Sequence, residues 1–84
     1  MKKNTNIIVN FIDDECFILD SAQQKSHHLN SVASWVWNKL DTSSDPSVLS
    51  KMLSNEFDIT IEQAILDVKL LLKQFKEMGL LVED

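Results

Sequence analysis

The chain holds one glycine, one proline and one cysteine in 84 residues. So little Gly and Pro excludes collagen-like, linker-like and low-complexity architectures and points to regular elements joined by few special turns. The lone Cys16 cannot close an internal disulfide, which fits a reducing compartment and makes the cytoplasm the expected location. No apolar run approaches the roughly 20 residues that a membrane-spanning helix needs. The basic start Met1-Lys2-Lys3 imitates a signal peptide, but Ile7-Ile8-Val9 is broken by Asn10 and followed by Asp13-Asp14-Glu15, so the apolar stretch is too short and too polar. Cations are also scarce: eight Lys plus Arg stand against thirteen Asp plus Glu, a net charge of -5. A protein that neutralises phosphates along nucleic acid usually shows a strongly basic face, so nucleic acid is not an expected partner. One Gly leaves no glycine-rich phosphate loop. What remains is a single domain, residues 1–84, which buries only about 60% of its unfolded surface and has little left to wall an enclosed catalytic cavity.

The first thirty residues alternate with period two or form short apolar runs: Ile7 to Ile12, Cys16 to Leu19 and Ser26 to Leu29. They read as three strands. In the second, Phe17 and Leu19 point to one face and Cys16 and Ile18 to the other; in the third, His27 and Leu29 oppose Ser26 and His28. After Asn30, a suitable N-cap, the period becomes 3.6, with Val32, Val36 and Leu40 along one side and Ala33 and Trp37 beside them. Asp41-Thr42-Ser43-Ser44 breaks that helix, and Asp45-Pro46 starts a second, where proline's missing N–H costs nothing. Its apolar positions are Val48, Leu49, Met52, Leu53 and Phe57. Thr60 and Gln63 form the pattern of a reciprocal capping box at the head of a third helix, which Gly79 stops. At 100 degrees per residue, Ile61, Ala64, Ile65, Val68, Leu71, Leu72, Phe75 and Met78 make one continuous core arc. Leu66 and Leu70 fall on the opposite side, as surface residues or as part of a docking surface.

Reactive chemistry is thin. Cys16, His27 and His28 are the only soft or imidazole ligands, and adjacent histidines in a strand face opposite ways, so no metal site is expected. Cys16 reads as a small buried hydrophobe, since nothing is spaced to make it a nucleophile. Leu19-Asp20-Ser21 is similar to the prosthetic-group site of acyl carrier proteins, but no Leu follows Ser21 and the serine falls in a turn after a strand. Trp37 follows the core stripe, whereas Trp35, two residues away, is left to cover the edge of the core or to meet a partner.

Taken in order, Leu29-Asn30, Ala33, Val36-Trp37, Leu40-Asp41, Leu53, Phe57-Asp58-Ile59, Asp67-Val68, Leu71-Leu72, Phe75 and Gly79-Leu80-Leu81 resemble the PqqD-like family. These are small domains that recognise the leader peptides of ribosomally made, post-translationally modified peptides. The resemblance spans about two thirds of the chain, and departs from the family at Thr42, where a Gly is common. It implies an α+β, winged helix-turn-helix-like fold, with a three-stranded antiparallel sheet followed by three helices. It also implies that the leader adds as a strand to the edge Lys25, Ser26, His27, His28 and Leu29, against a helix wall of Asp67, Leu70, Leu71 and Gln74, with Leu66 a weaker candidate. The function so implied is non-catalytic, without cofactor or metal. It is capture of a precursor leader and its delivery to a tailoring enzyme, such as a leader peptidase or a radical SAM maturase, in a stand-alone protein of the lasso-peptide kind. The same architecture serves winged-helix DNA-binding regulators, but residues 43–84 hold four Lys against eight Asp plus Glu, which would repel phosphate. A structural interaction subunit docking through Leu66 and Leu70 is the remaining alternative.

Overall fold

A computed structural model describes residues 2–83 of the chain. Strands β2 (Ile7–Ile12), β3 (Glu15–Asp20) and β4 (Lys25–Leu29) form an antiparallel sheet in that order, and helices α1 (Ser31–Lys39), α2 (Pro46–Phe57) and α3 (Ile61–Glu77) follow. A second, two-stranded ribbon, too short to show a period in the sequence, pairs β1 (Lys2–Lys3) antiparallel with β5 (Leu81–Val82) and ties the two ends of the chain together.

The sheet packs its inner face on the helices. Cys16, Ile18 and Asp20 on β3 and Leu29 on β4 are buried, whereas Phe17 and Leu19 are exposed, the alternation that a half-covered strand imposes. Trp37 of α1 sits edge-on to Phe75 of α3, ring centroids 5.4 Å apart, at the centre of a core that includes Val36, Leu49, Leu53 and Val68. Trp35 lies half-buried with its ring edge-on to Phe57 at 5.9 Å, covering the rim.

The caps follow the sequence with one correction. Asn30 Oδ1 accepts from the Ala33 N–H at 2.9 Å and Asp45 Oδ1 from the Ser47 N–H at 2.9 Å. At α3 Thr60 Oγ1 accepts from the Gln63 N–H at 3.2 Å, but the reciprocal half of the box is not made: the Gln63 amide reaches forward to donate to Asp67 Oδ1 at 2.8 Å. Gly79, at φ 77°, closes α3 with Leu80 N–H bonded to Phe75 C=O at 2.9 Å and Gly79 N–H to Lys76 C=O at 3.0 Å. That is the Schellman pattern, and it delivers Leu80 into the core. The buried arc of α3 is narrower than its apolar periodicity: Ala64, Val68, Leu72 and Phe75 are buried, but Ile61 and Ile65 are exposed. Both line an open hollow between α3 and the first turns of α2, beside Pro46, Ser47, Ser50 and Lys51.

Candidate functional site

The strand that ends the sheet is β4, which pairs with β3 on one side only. Which of its backbone groups are available follows from the hairpin before it. Ile12 and Glu15 flank the two-residue turn Asp13-Asp14 and are register partners, so they form a doubly hydrogen-bonded pair. Bonded pairs recur at every second residue, so Glu15, Phe17 and Leu19 bond to β2, and Cys16, Ile18 and Asp20 direct their backbone groups to β4. With Cys16 opposite Leu29, Ile18 opposite His27 and Asp20 opposite Lys25, the N–H and C=O of Lys25, His27 and Leu29 point inward. Those of Ser26 and His28 point out of the sheet, and neither makes a hydrogen bond among the described residues.

One side chain supports this parity. Ser34 of α1 is buried with its hydroxyl between the first pair: it accepts from the Cys16 N–H at 2.8 Å and donates to the Leu29 C=O at 2.9 Å. The hydroxyl therefore stands in for a ladder bond and pins the end of β4 to α1.

Beside the free edge runs an open groove of about 450 Å³, floored by Leu29 and Ala33, bounded by His28 and Asn30, and walled on the far side by Leu71, Gln74, Glu77 and Met78 of α3 and its end. A strand laid against Ser26 and His28 would direct alternate side chains into this hollow, since the inner face of the added strand is continuous with Leu29. Leu71 and Met78 are partly buried and supply apolar wall; Glu77 is the one carboxylate in the lining. On the opposite face His28 stacks on Phe17, ring centroids 4.6 Å apart, and its Nε2 lies 2.7 Å from Glu15 Oε1, which fixes the residue's orientation from the solvent side.

Of the residues expected from the sequence, His28, Leu29, Leu71 and Gln74 come together in the groove. Lys25 and Ser26 lie on the edge, both exposed, and Ser26 sits with Phe17 and Leu19 around a hollow on the outer face. His27 is half-buried on the inner face, its Nε2 without a partner; Asp20, its diagonal neighbour there, likewise leaves Oδ2 unpartnered. Asp67 and Leu70 stand next to the groove rather than in its lining: Asp67 is held by Gln63, and Leu70, like Leu66, is exposed. Asn30, Ala33, Glu77 and Met78 line the groove and were not anticipated. Asn30 and Ala33 read as a cap and a core residue, and they are both; the signal for a second role lay only in their being adjacent to the edge strand.

The remaining chemistry is sparse. Burial pushes the Cys16 thiol up from its ordinary pKa, with nearby Lys3 partly opposing the shift, so the thiol stays neutral. No three His, Cys, Asp or Glu among the described residues gather in a way that could hold a metal ion. No helix there is long and apolar enough to cross a membrane.

A family model, coenzyme PQQ synthesis protein D (PqqD), matches residues 15–81. Two solved structures share the fold. One is TbiB1 in complex with the TbiA(beta) leader peptide, with a TM-score of 0.88 and 22% identity over 100% of both chains. The other is a lasso peptide synthetase B1 complexed with the leader peptide, with a TM-score of 0.87 and 22% identity over 98% of this chain and 96% of that one. A search of curated proteins returns no match.

Proposed function

Because the chain belongs to the PqqD family, we propose that it is a non-catalytic recognition protein that captures the leader of a ribosomally made precursor peptide as a fourth strand on β4. It then hands the precursor to a tailoring enzyme, a leader peptidase of the lasso-peptide kind. The observation that carries the reading is the pairing of an open edge with a groove: Ser26 and His28 offer two N–H and two C=O groups outward, directly beside the hollow between Leu29 and Leu71. Strand addition uses both parts, with ladder bonds for register and side-chain anchors for selectivity.

Magnitudes assign the roles. Four ladder bonds at about 1 kcal/mol each supply about 4 kcal/mol, while a micromolar complex needs roughly 8 kcal/mol and must also overcome association entropy. Apolar anchors in the groove supply the difference, against Leu71, Met78, Ala33 and Leu29. Asp67 and Leu70 contribute at the margin of the bound peptide, where its side chains rise past the wall. The polar strand Lys-Ser-His-His-Leu suits this use, because an edge carrying Lys25 and two histidines resists pairing with itself yet can accept a matched peptide.

The test is a titration. A fluorescein-labelled leader from the precursor encoded beside this gene should raise its anisotropy with a micromolar or tighter Kd, and a scrambled leader should not. Absence of binding, or equal binding of the scrambled peptide, sinks the proposal.

A further inference from the structure

The sheet has a second free edge, and it is built differently. β2 pairs only with β3, and the same parity that frees Ser26 and His28 leaves the backbone N–H and C=O of Ile7, Val9 and Phe11 pointing away from the sheet, without hydrogen bonds among the described residues. Natural edges are usually guarded by Lys, Pro or a bulge. This one, Ile-Ile-Val-Asn-Phe-Ile, carries no charge and no proline, pairs without a bulge, and leaves Ile8 54%, Phe11 46% and Ile12 62% exposed. Three exposed apolar side chains on an unguarded edge are costly in water unless something covers them.

A furrow follows that edge. Two hollows, of about 400 and 300 Å³, share Phe11 and Asn38 and lie end to end along β2. The first is lined by Ile7, Val9, Trp37 and Asp41; the second by Asp13, Asp14, Trp35, Glu56 and Phe57. The walls are thus apolar and the rim acidic. Lys3, the one cation in the lining, is engaged, with its ammonium 2.9 Å from Asp41 and 4.3 Å over the Trp37 ring. Asp13, Asp14 and Glu56 make no ion pair among the described residues. Lys39, over the Trp35 ring at 5.6 Å, balances one of these three charges at most.

We propose that this edge is a second strand-addition site, which takes an extended segment of the tailoring enzyme with apolar residues at alternate positions followed, on the same face, by Lys or Arg. The inference rests on the function proposed above, since it names where the enzyme docks while β4 holds the leader. Charge selects the occupant: the apolar side chains cover the row Ile7, Val9 and Phe11 in the furrow, and the cations that follow on the same face lie beside Asp13, Asp14 and Glu56, which line the hollow at the Phe11 end. The arrangement leaves the leader at one side of the sheet and the enzyme at the other, so both bind at once and the three-stranded sheet becomes five-stranded.

The experiment uses the purified leader peptidase encoded with the precursor and the same labelled leader. The wild-type chain should bind the peptidase, with affinity falling steeply as salt rises. The double variant D14K/E56K, at exposed positions, should weaken peptidase binding tenfold or more and flatten the salt dependence, and Phe11→Ala should weaken it comparably. Leader affinity should stay within twofold in both. The inference is overturned if both variants hold the peptidase as the wild type does. It is also overturned if the wild type binds leader but not peptidase, or if sedimentation shows that this edge pairs with a second copy and Val9→Pro disperses it. Loss of leader binding with the peptidase still docked at β2 counts against the function proposed above and leaves this site standing.

Discussion

Proline substitutions at two adjacent histidines of β4 separate the strand-addition mechanism from every other use of this surface. The His28 N–H points out of the sheet and the His27 N–H points in, opposite Ile18. Removing the first costs the free protein no ladder bond, because edge strands tolerate proline where the N–H faces solvent. The variant His28→Pro also loses the stack on Phe17 and the contact with Glu15, both solvent-exposed, so its stability should fall by about 1 kcal/mol or less. His27→Pro removes a bond inside the sheet and should cost about 3 kcal/mol. For a domain this small, 1 kcal/mol moves Tm by roughly 4–8 °C, so the two prolines should differ by about 8 °C or more in a thermal melt.

Binding should run the other way. In the complex the His28 N–H donates to the leader, and its loss leaves a leader carbonyl unpaired in a partly closed groove, costing about 1–3 kcal/mol, or between about fivefold and about 150-fold in Kd. The control is His28→Ala, which removes the imidazole and keeps the N–H. The quantity to read is the ratio of the Pro and Ala dissociation constants by anisotropy with the labelled leader. A ratio near one, with both variants folded by melt, refutes strand addition at β4 whatever the wild-type affinity.

Truncation at the groove wall tests the anchors: Leu71→Ala, half-buried and facing the hollow, should weaken leader binding about tenfold while shifting Tm by only a few degrees, whereas Leu66→Ala should do neither. Ser34→Ala removes both bonds of the hydroxyl that bridges Cys16 and Leu29; stability should fall by about 2 kcal/mol by denaturant titration, less if the two strands close to bond directly. Cys16 gives a pH signature. Burial raises the thiol's pKa in the folded state, so its contribution is complete below the ordinary value of 9.0 and is lost as pH climbs above it. The wild type should therefore lose stability above pH 9 faster than Cys16→Ala, and the thiol should react with a disulfide reagent only on unfolding.

Helix and strand identities were readable because each had its own periodicity and its own punctuation: the Asp13-Asp14 turn, Asn30, Asp45-Pro46, Thr60 and Gly79. The ribbon of β1 and β5 was not, since two residues carry no period and Lys3 finds its partner Leu81 at the other end of the chain. The width of the buried arc on α3 was overestimated for a related reason. A helical wheel places Ile61 and Ile65 beside Val68, but whether that flank is covered depends on how closely the first turns of α2 approach it, which is a fact about another segment. The unmade half of the capping box reflects two uses of one side chain. Gln63 can turn back to accept from the Thr60 N–H or forward one turn to donate to Asp67, and a hydrogen bond to a carboxylate at i+4 is the stronger.

The site shows the same division more sharply. Its edge came with the family resemblance, and the period-two alternation of the strand separates His27 from His28. Its wall was legible only in part. Leu71 and Gln74 lie on the flank of α3 that turns toward β4, whereas Asp67 and Leu70, one turn earlier or farther round, stand clear of the hollow. The wall lies toward the C-terminal end of α3 and takes in Glu77 and Met78. No spacing rule within one element encodes that placement. It comes from Trp37 and Phe75 meeting edge-on and from Gly79 turning Leu80 back into the core, which together set where the last turns of α3 lie relative to Leu29. Changes to that packing should therefore move the groove without touching a residue that lines it. Phe75→Leu, which keeps a buried apolar side chain but removes the ring contact, should lower leader affinity more than its loss of stability accounts for. Equal affinity in a folded Phe75→Leu protein would show that the wall is placed by the backbone alone.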